Sequence, residues 1–217
     1  MRRAVGGNPT LAYVDLPGHG LASADGHGIA DGAAALAALG GPGTWVGYSM
    51  GGRFALHAAL AAGSSIERLV LIGATAGLDD PAERVARGAA DEARARDLER
   101  DGVEAFIDRW LAAPLFASLP PDPAGRRHRL GNTAAGLAHS LRTAGTGAQE
   151  PLWERLAALT IPVLCLAGEQ DHKFTGLGER LAGSLPQGRF AKVPGAGHAA
   201  HTERPEVVAA AIAEWHG

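Results

Sequence analysis

Gly47-Tyr48-Ser49-Met50-Gly51-Gly52 stands between two apolar runs: Thr44-Trp45-Val46, which reads as a short buried strand, and Arg53-Phe54-Ala55-Leu56-His57-Ala58-Ala59-Leu60, which reads as a helix. Strand, tight turn and helix is the setting in which the pattern G-x-S-x-G holds a serine hydroxyl out over a sheet, because only small neighbours fit within the sharp bend. The start of the following helix points free backbone N–H groups at developing negative charge, and Met50 N–H, next after the serine, is placed to be one oxyanion donor. A glycine-rich turn that merely contains a serine is the competing reading. The rest of the chain decides between them.

Working outward, residues 10–15 read as a strand, followed by the turn-rich Leu16-Pro17-Gly18-His19-Gly20, and residues 29–39 read as a short helix leading into the serine strand. Arg68-Leu69-Val70-Leu71-Ile72-Gly73 is a further buried strand, and strands return at residues 161–167 and 189–193. Continuous apolar strands that alternate with helices predict a mostly parallel sheet with helices on both faces. Residues 78–151 are helical in pattern and rich in arginine, and read as a lid inserted above the strand ends. The chain thus divides into a first core part, 1–77, with the serine turn, the lid, 78–151, and a second core part, 152–217. An amphipathic helix over 203–216, opened by Pro205, closes it.

Two strand-end loops carry the remaining chemistry. Gly168-Glu169-Gln170-Asp171-His172-Lys173-Phe174 follows one strand, and Pro194-Gly195-Ala196-Gly197-His198 follows the next. Loops at the carboxyl ends of parallel strands converge on one face of the sheet, which brings Asp171 and His198 toward Ser49 despite their separation in sequence. A serine hydroxyl is a weak nucleophile or base alone. His198 takes its proton, and the Asp171 carboxylate fixes the imidazole tautomer and stabilises the imidazolium. His172 and His201 compete for the base and are read as surface or substrate-facing residues; Asp79 and Asp80 compete for the acid.

Composition narrows the class. The 217 residues, 46% of them hydrophobic, suffice for one well-buried domain, and a formal charge of −3 gives no reason to expect a nucleic acid or an anionic membrane as partner. The single cysteine, Cys165, excludes an internal disulfide framework and lies in an apolar run, as a buried strand residue does. No stretch approaches a membrane span and no signal-type segment opens the chain, so cytoplasm is the expected compartment.

The order Ser49, Asp171, His198 is that of the α/β-hydrolases. Val14-Asp15-Leu16-Pro17-Gly18-His19-Gly20, the elbow continuing into Arg53, Phe116-Ala117-Ser118-Leu119, Asp171-His172-Lys173-Phe174 and Gly197-His198-Ala199-Ala200-His201 together resemble the 2-succinyl-6-hydroxy-2,4-cyclohexadiene-1-carboxylate synthases of menaquinone biosynthesis. The resemblance implies an α/β-hydrolase fold with a helical lid. It also implies a lyase that removes pyruvate from an anionic cyclohexene precursor, the serine triad acting as a base system. No metal and no organic cofactor is implied. The substrate is a small polycarboxylate, which asks for guanidinium groups around the cleft. Arg53 matches the family position after the elbow; Arg87 and Arg129 fall where lid arginines are expected, against the alternative of a solvated helix face. Trp110 is expected at the cavity or in the lid core, and Tyr48 and Lys173 as substrate contacts. The rival functions are a carboxylester or C–C bond hydrolase of the same fold, and a catalytically impaired fragment or binding module.

One departure stands out. In this fold a second oxyanion N–H comes from the loop after an earlier strand, usually within an H-G-x motif. No such motif precedes Asp15, and His19 and His27 follow the wrong strand. The resemblance implies that Met1 lies within a helix running into residue 10, and that the N-terminal strands are missing, one of them from between the strand ending at Asp15 and the one ending at Tyr48. The expectation is a truncated chain that re-pairs, associates or is poorly stable.

Overall fold

In the computed structural model, which describes residues 11–22, 28–61 and 64–217, the apolar runs form one sheet of four parallel strands. β1 (Gly43–Tyr48), β2 (Ile66–Ile72), β3 (Val163–Gly168) and β4 (Gly188–Val193) lie side by side in that order. Tyr48 pairs with Ile72, Ile72 with Leu166, and Gly168 with Val193, so the strands finish along one edge of the sheet. The loops that follow β1, β3 and β4 therefore open onto the same side.

Alternation along the strands sends side chains to two faces. Leu69, Leu71, Val163 and Cys165 pack with α1 (Ile29–Gly40), α2 (Met50–Ala59) and α6 (His172–Gly183), burying Ile29, Phe54, Leu56 and Leu181. Val70, Ile72, Leu164, Leu166 and Val193 face the other way, against Val208 of α8 (Pro205–His216). Each such large side chain removed from water contributes about 1.5–3 kcal/mol before entropy is charged against it.

Between β2 and β3 the chain is helical: α3 (Pro81–Leu111), α4 (Pro123–Arg129) and α5 (Ala134–Ala144), with short 3₁₀ turns at Pro114–Phe116 and Trp153–Ala158. Asp80 starts α3 by accepting the Ala82 N–H at 2.7 Å, with Pro81 in the first turn. Gly102, at φ 84°, breaks α3 in two, a conformation that costs a side-chain-bearing residue far more. Ala95, Leu98, Leu137 and Ala138 join α3 to α5 in a small core of their own. Arg142 ties the outer sides together through Glu92 and Glu99, although exposed pairs of this kind contribute only about 0–1 kcal/mol each. Among the described residues no helix is long and apolar enough to cross a membrane.

Two expectations are corrected. Residues 11–16 belong to no sheet; the pattern of a strand is there without a partner to bond it, and Tyr13 and Val14 are 74% and 56% exposed. Thr44-Trp45-Val46 is a strand but not a buried one. β1 borders the sheet, and Val46 is 56% exposed. Residues 1–10, expected to end a helix and begin that strand, and His27 lie outside the described residues.

Candidate active site

Ser49 occupies the bend between β1 and α2 with φ 47° and ψ −109°, and is the non-glycine residue with positive φ among those described. Strain of this type costs about 1–3 kcal/mol and persists where the surroundings enforce it. Here they do. The Ser49 N–H is bonded to the Ile72 carbonyl at 2.8 Å. A Cβ on Gly47 would meet Gly51 O at 2.5 Å and Gly52 Cα at 2.6 Å, and one on Gly52 would meet Ala74 Cβ at 2.6 Å, whereas Gly51 faces open space. Close packing thus demands glycine at 47 and 52. Met50 begins α2, where its N–H has no acceptor within the helix.

The loops after β3 and β4 meet this bend. His198 Nε2 lies 3.1 Å from Ser49 Oγ, and His198 Nδ1 lies 2.7 Å from Asp171 Oδ2. The carboxylate on Nδ1 calls for N–H at that atom, which leaves Nε2 to accept the serine proton. Asp171 Oδ1 accepts the Phe174 N–H at 3.3 Å as the cap of α6. His198 is 2% exposed, with the Phe174 ring 4.4 Å away and those of Tyr48 and Phe116 at 5.3 and 6.1 Å. Glu203, the last residue of α7 (Ala200–Glu203), accepts the N–H groups of Gly197 and Ala199 at 2.8 and 3.1 Å. These two bonds grip the backbone on either side of the histidine.

None of the competitors takes the place of Asp171 or His198. Asp79 pairs with Arg180 and Asp80 caps α3, so neither expected alternative acid reaches His198. His172 is exposed at the start of α6. His201 lines the cavity with its ring 4.3 Å from Tyr48, and burial, with His198 and Arg129 nearby, lowers its pKa. Cys165 is enclosed in β3, and burial pushes its thiol up to about 12, out of range for a nucleophile at neutral pH.

Above Ser49 opens a cavity of about 1120 Å³ whose walls include Tyr48, Arg53, Arg87, Trp110, Arg129 and Lys173. Arg53 is the deepest of the cations, 7% exposed, and its Nη1–H donates to Gln149 Oε1 at 3.2 Å. Burial and then the Arg87 charge pull its pKa down to about 10, with Asp91 acting the other way, so Arg53 stays cationic at neutral pH. Tyr48 carries a buried hydroxyl with no hydrogen-bond partner among the described residues, and burial raises its pKa, keeping it a donor. Trp110 combines both expected places: it stacks on Phe106 at 5.7 Å, approaches Phe116 at 6.0 Å, and walls the cavity. Lys173 is exposed and also lines the cavity. Among the described residues no group of three or more His, Cys, Asp or Glu is arranged to hold a metal.

Three polar residues behind these groups were not anticipated. Asp91, Gln149 and Glu203 touch Arg87, Arg53 and the His198 loop respectively. Arg87 and Asp91 stand four apart on a helix, a spacing that signals an ion pair. Gln149 lies 96 residues from Arg53 and carries no such signal.

The family described as "Alpha/beta hydrolase family" matches residues 2–211. A putative 2-succinyl-6-hydroxy-2,4-cyclohexadiene-1-carboxylate synthase of Bacillus subtilis (strain 168) is 38% identical over 175 residues, covering 78% of this chain and 64% of its own length. This chain therefore spans less than two thirds of that relative. The 2-succinyl-6-hydroxy-2,4-cyclohexadiene-1-carboxylate synthase of Escherichia coli O7:K1 (strain IAI39 / ExPEC) is 34% identical over 212 residues, covering 93% of this chain and 81% of its own. The solved structure of MenH from S. aureus superposes with a TM-score of 0.87 at 32% identity, covering 93% of this chain and 81% of that one.

Proposed function

The chain belongs to the alpha/beta hydrolase family, and from that premise we propose that it is a lyase eliminating pyruvate from 2-succinyl-5-enolpyruvyl-6-hydroxy-3-cyclohexene-1-carboxylate. The relatives named for the product of that reaction support the choice. The two ring names define the chemistry: a 3-ene becomes a 2,4-diene. A proton leaves C2, which bears the succinyl ketone, a C2=C3 bond forms as the ring double bond shifts from C3–C4 to C4–C5, and the C5–O bond breaks to release the enolate of pyruvate, which takes up a proton at carbon.

The observation that carries this reading is the hydrogen-bonded chain Ser49–His198–Asp171 at the floor of a cavity walled by four cationic side chains. The C–H beside a ketone is acidified only as far as the enolate oxygen is stabilised, and the Met50 N–H at the start of α2 is the donor for it. His198, held by Asp171, draws the serine proton so that Ser49 Oγ, 3.1 Å away, can take up the substrate proton. Arg53, Arg87, Arg129 and Lys173 hold the carboxylates, Tyr48 and Trp110 shape the ring site, and the helical segment 78–151 serves as the lid. Holding the leaving pyruvyl carboxylate keeps the breaking C–O bond aligned with the shifting π system.

The test is pyruvate release from the precursor. Turnover that depends on Ser49 and falls steeply on Arg53→Ala supports the reading. Efficient hydrolysis of neutral acyl esters with little dependence on Arg53 points instead to an ordinary hydrolase using the same triad.

A further inference from the structure

Asp91 is the most enclosed charged side chain of the segment between β2 and β3, with 2% of its side chain exposed. It lies one helical turn beyond Arg87 and does not itself line the cavity. Both of its oxygens, each at 2.9 Å, accept the single Nε–H of Arg87, while Oδ1 also accepts Arg94 Nη1–H at 2.9 Å. The two guanidinium groups are treated differently by the fold. Arg94 does not reach the cavity, whereas Arg87 lines it. Asp91 engages Arg87 through Nε alone, neither Nη group donates to a described residue, and Arg87 lines the cavity. With Nε engaged by Asp91, the Nη pair is the edge still able to take a carboxylate in two parallel bonds.

We propose that Asp91 is a positioning residue for substrate binding, holding the Arg87 guanidinium with its Nη pair presented to a carboxylate of the ligand. The inference rests on the cavity being an anion site, and it adds a counter-intuitive element: an acid that promotes binding of an anion. A flexible arginine loses rotamer entropy when it is fixed, and Asp91 meets that loss before the ligand arrives. Simple Coulomb repulsion predicts the reverse, since a buried negative charge near the site opposes a polyanion. The two accounts therefore differ in the sign of one measurement.

Calorimetric titration with benzene-1,3,5-tricarboxylate reads binding without turnover, so it stands even if pyruvate release fails. Asp91→Asn is expected to weaken binding at least about tenfold, the scale of a charge-assisted hydrogen bond. It should add little when Arg87 is already alanine, and Arg94→Ala should change affinity less than about twofold. Arg87→Lys keeps the charge but not the planar fork, and is expected to match Asp91→Asn; it decides the matter if the latter does not fold. The proposal is overturned if the wild-type protein does not bind the tricarboxylate or if Asp91→Asn binds it equally or more tightly. It is overturned as well if the loss persists in full without Arg87, or if Arg87→Lys binds as well as wild type.

Discussion

The two sides of the sheet's catalytic edge are built to different standards. On the β3–β4 side β3 is buried along its whole length, β4 borders the sheet as β1 does, and the loops that carry Asp171 and His198 are bonded to one another. Gln170 N–H donates to Ala196 O at 2.9 Å, Gly195 N–H donates to Glu169 at 2.9 Å, and Glu203 grips the histidine loop. On the β1 side the strand borders the sheet, residues 11–16 run past without joining it, and Val46, Tyr13 and Leu21 are 56%, 74% and 99% exposed. The acid and base are thus fixed by parts of the fold that do not depend on what lies beyond β1. On the β1 side the proposed oxyanion donor is the Met50 N–H, which the elbow itself supplies. Proton transfer and oxyanion stabilisation are separable, and mutations should separate them.

The largest effect is expected at the meeting point of the two sides. Ser49→Ala and His198→Ala should each lower pyruvate release by about 10³-fold or more, and the double variant should be no worse than either single one, because the groups act as a unit. Additive losses would mean that His198 works without the serine. Next comes packing on the enclosed side: Leu166→Ala, in β3 and 1% exposed, should cost about 2–5 kcal/mol in urea unfolding. Smaller again is the histidine clamp. Glu203→Gln retains one acceptor oxygen but loses the charge, and should lower the turnover number about tenfold while leaving the Michaelis constant nearly unchanged, since it touches the base rather than the anion site.

The elbow helix adds a pH dependence. His57, on the enclosed face of α2, is held near a pKa of about 4 against 6.5 when unfolded, by burial and then by the charges of Arg155 and Arg53. As pH falls below about 6.5 the unfolded chain takes up the proton first, so stability declines between about 6.5 and about 4 and is flat above that window. Melting temperatures across that range check the sign, and His57→Gln should flatten the slope.

The difference between the two sides also separates the residues that local sequence reveals from those it does not. Ser49, Asp171 and His198 were legible because each follows an apolar strand, and parallel strands gather their carboxyl ends. Gly47 and Gly51 look alike in the pattern, yet Gly52 rather than Gly51 is the residue that the packing requires. Asp91 was hidden in an arginine-rich helix where Arg84, Arg94 and Arg96 offer equally plausible pairs. Residues 10–15 carry the alternation of a strand, but a strand is completed by its neighbour, and local pattern is silent about neighbours. For the same reason Val46 looked like a core residue.

The smallest effect is the most informative about β1. Val46 is 56% exposed, and Val46→Thr keeps the β-branched shape and strand propensity while exchanging a methyl for a hydroxyl that water can satisfy. The expected cost is within about 0.5 kcal/mol, the range of surface substitutions. The same exchange at Val70, in the enclosed strand beside it, should cost several times more, because the hydroxyl would be buried at a site that is 0% exposed. Near-equal costs at 46 and 70 would show that β1 is covered in solution. Dependence of the Val46→Thr penalty on protein concentration would then identify a second copy as the cover, since only association makes stability vary with concentration. In that event the contrast between a finished and an open side would belong to the isolated chain alone, and the oxyanion side would have to be sought in the assembly.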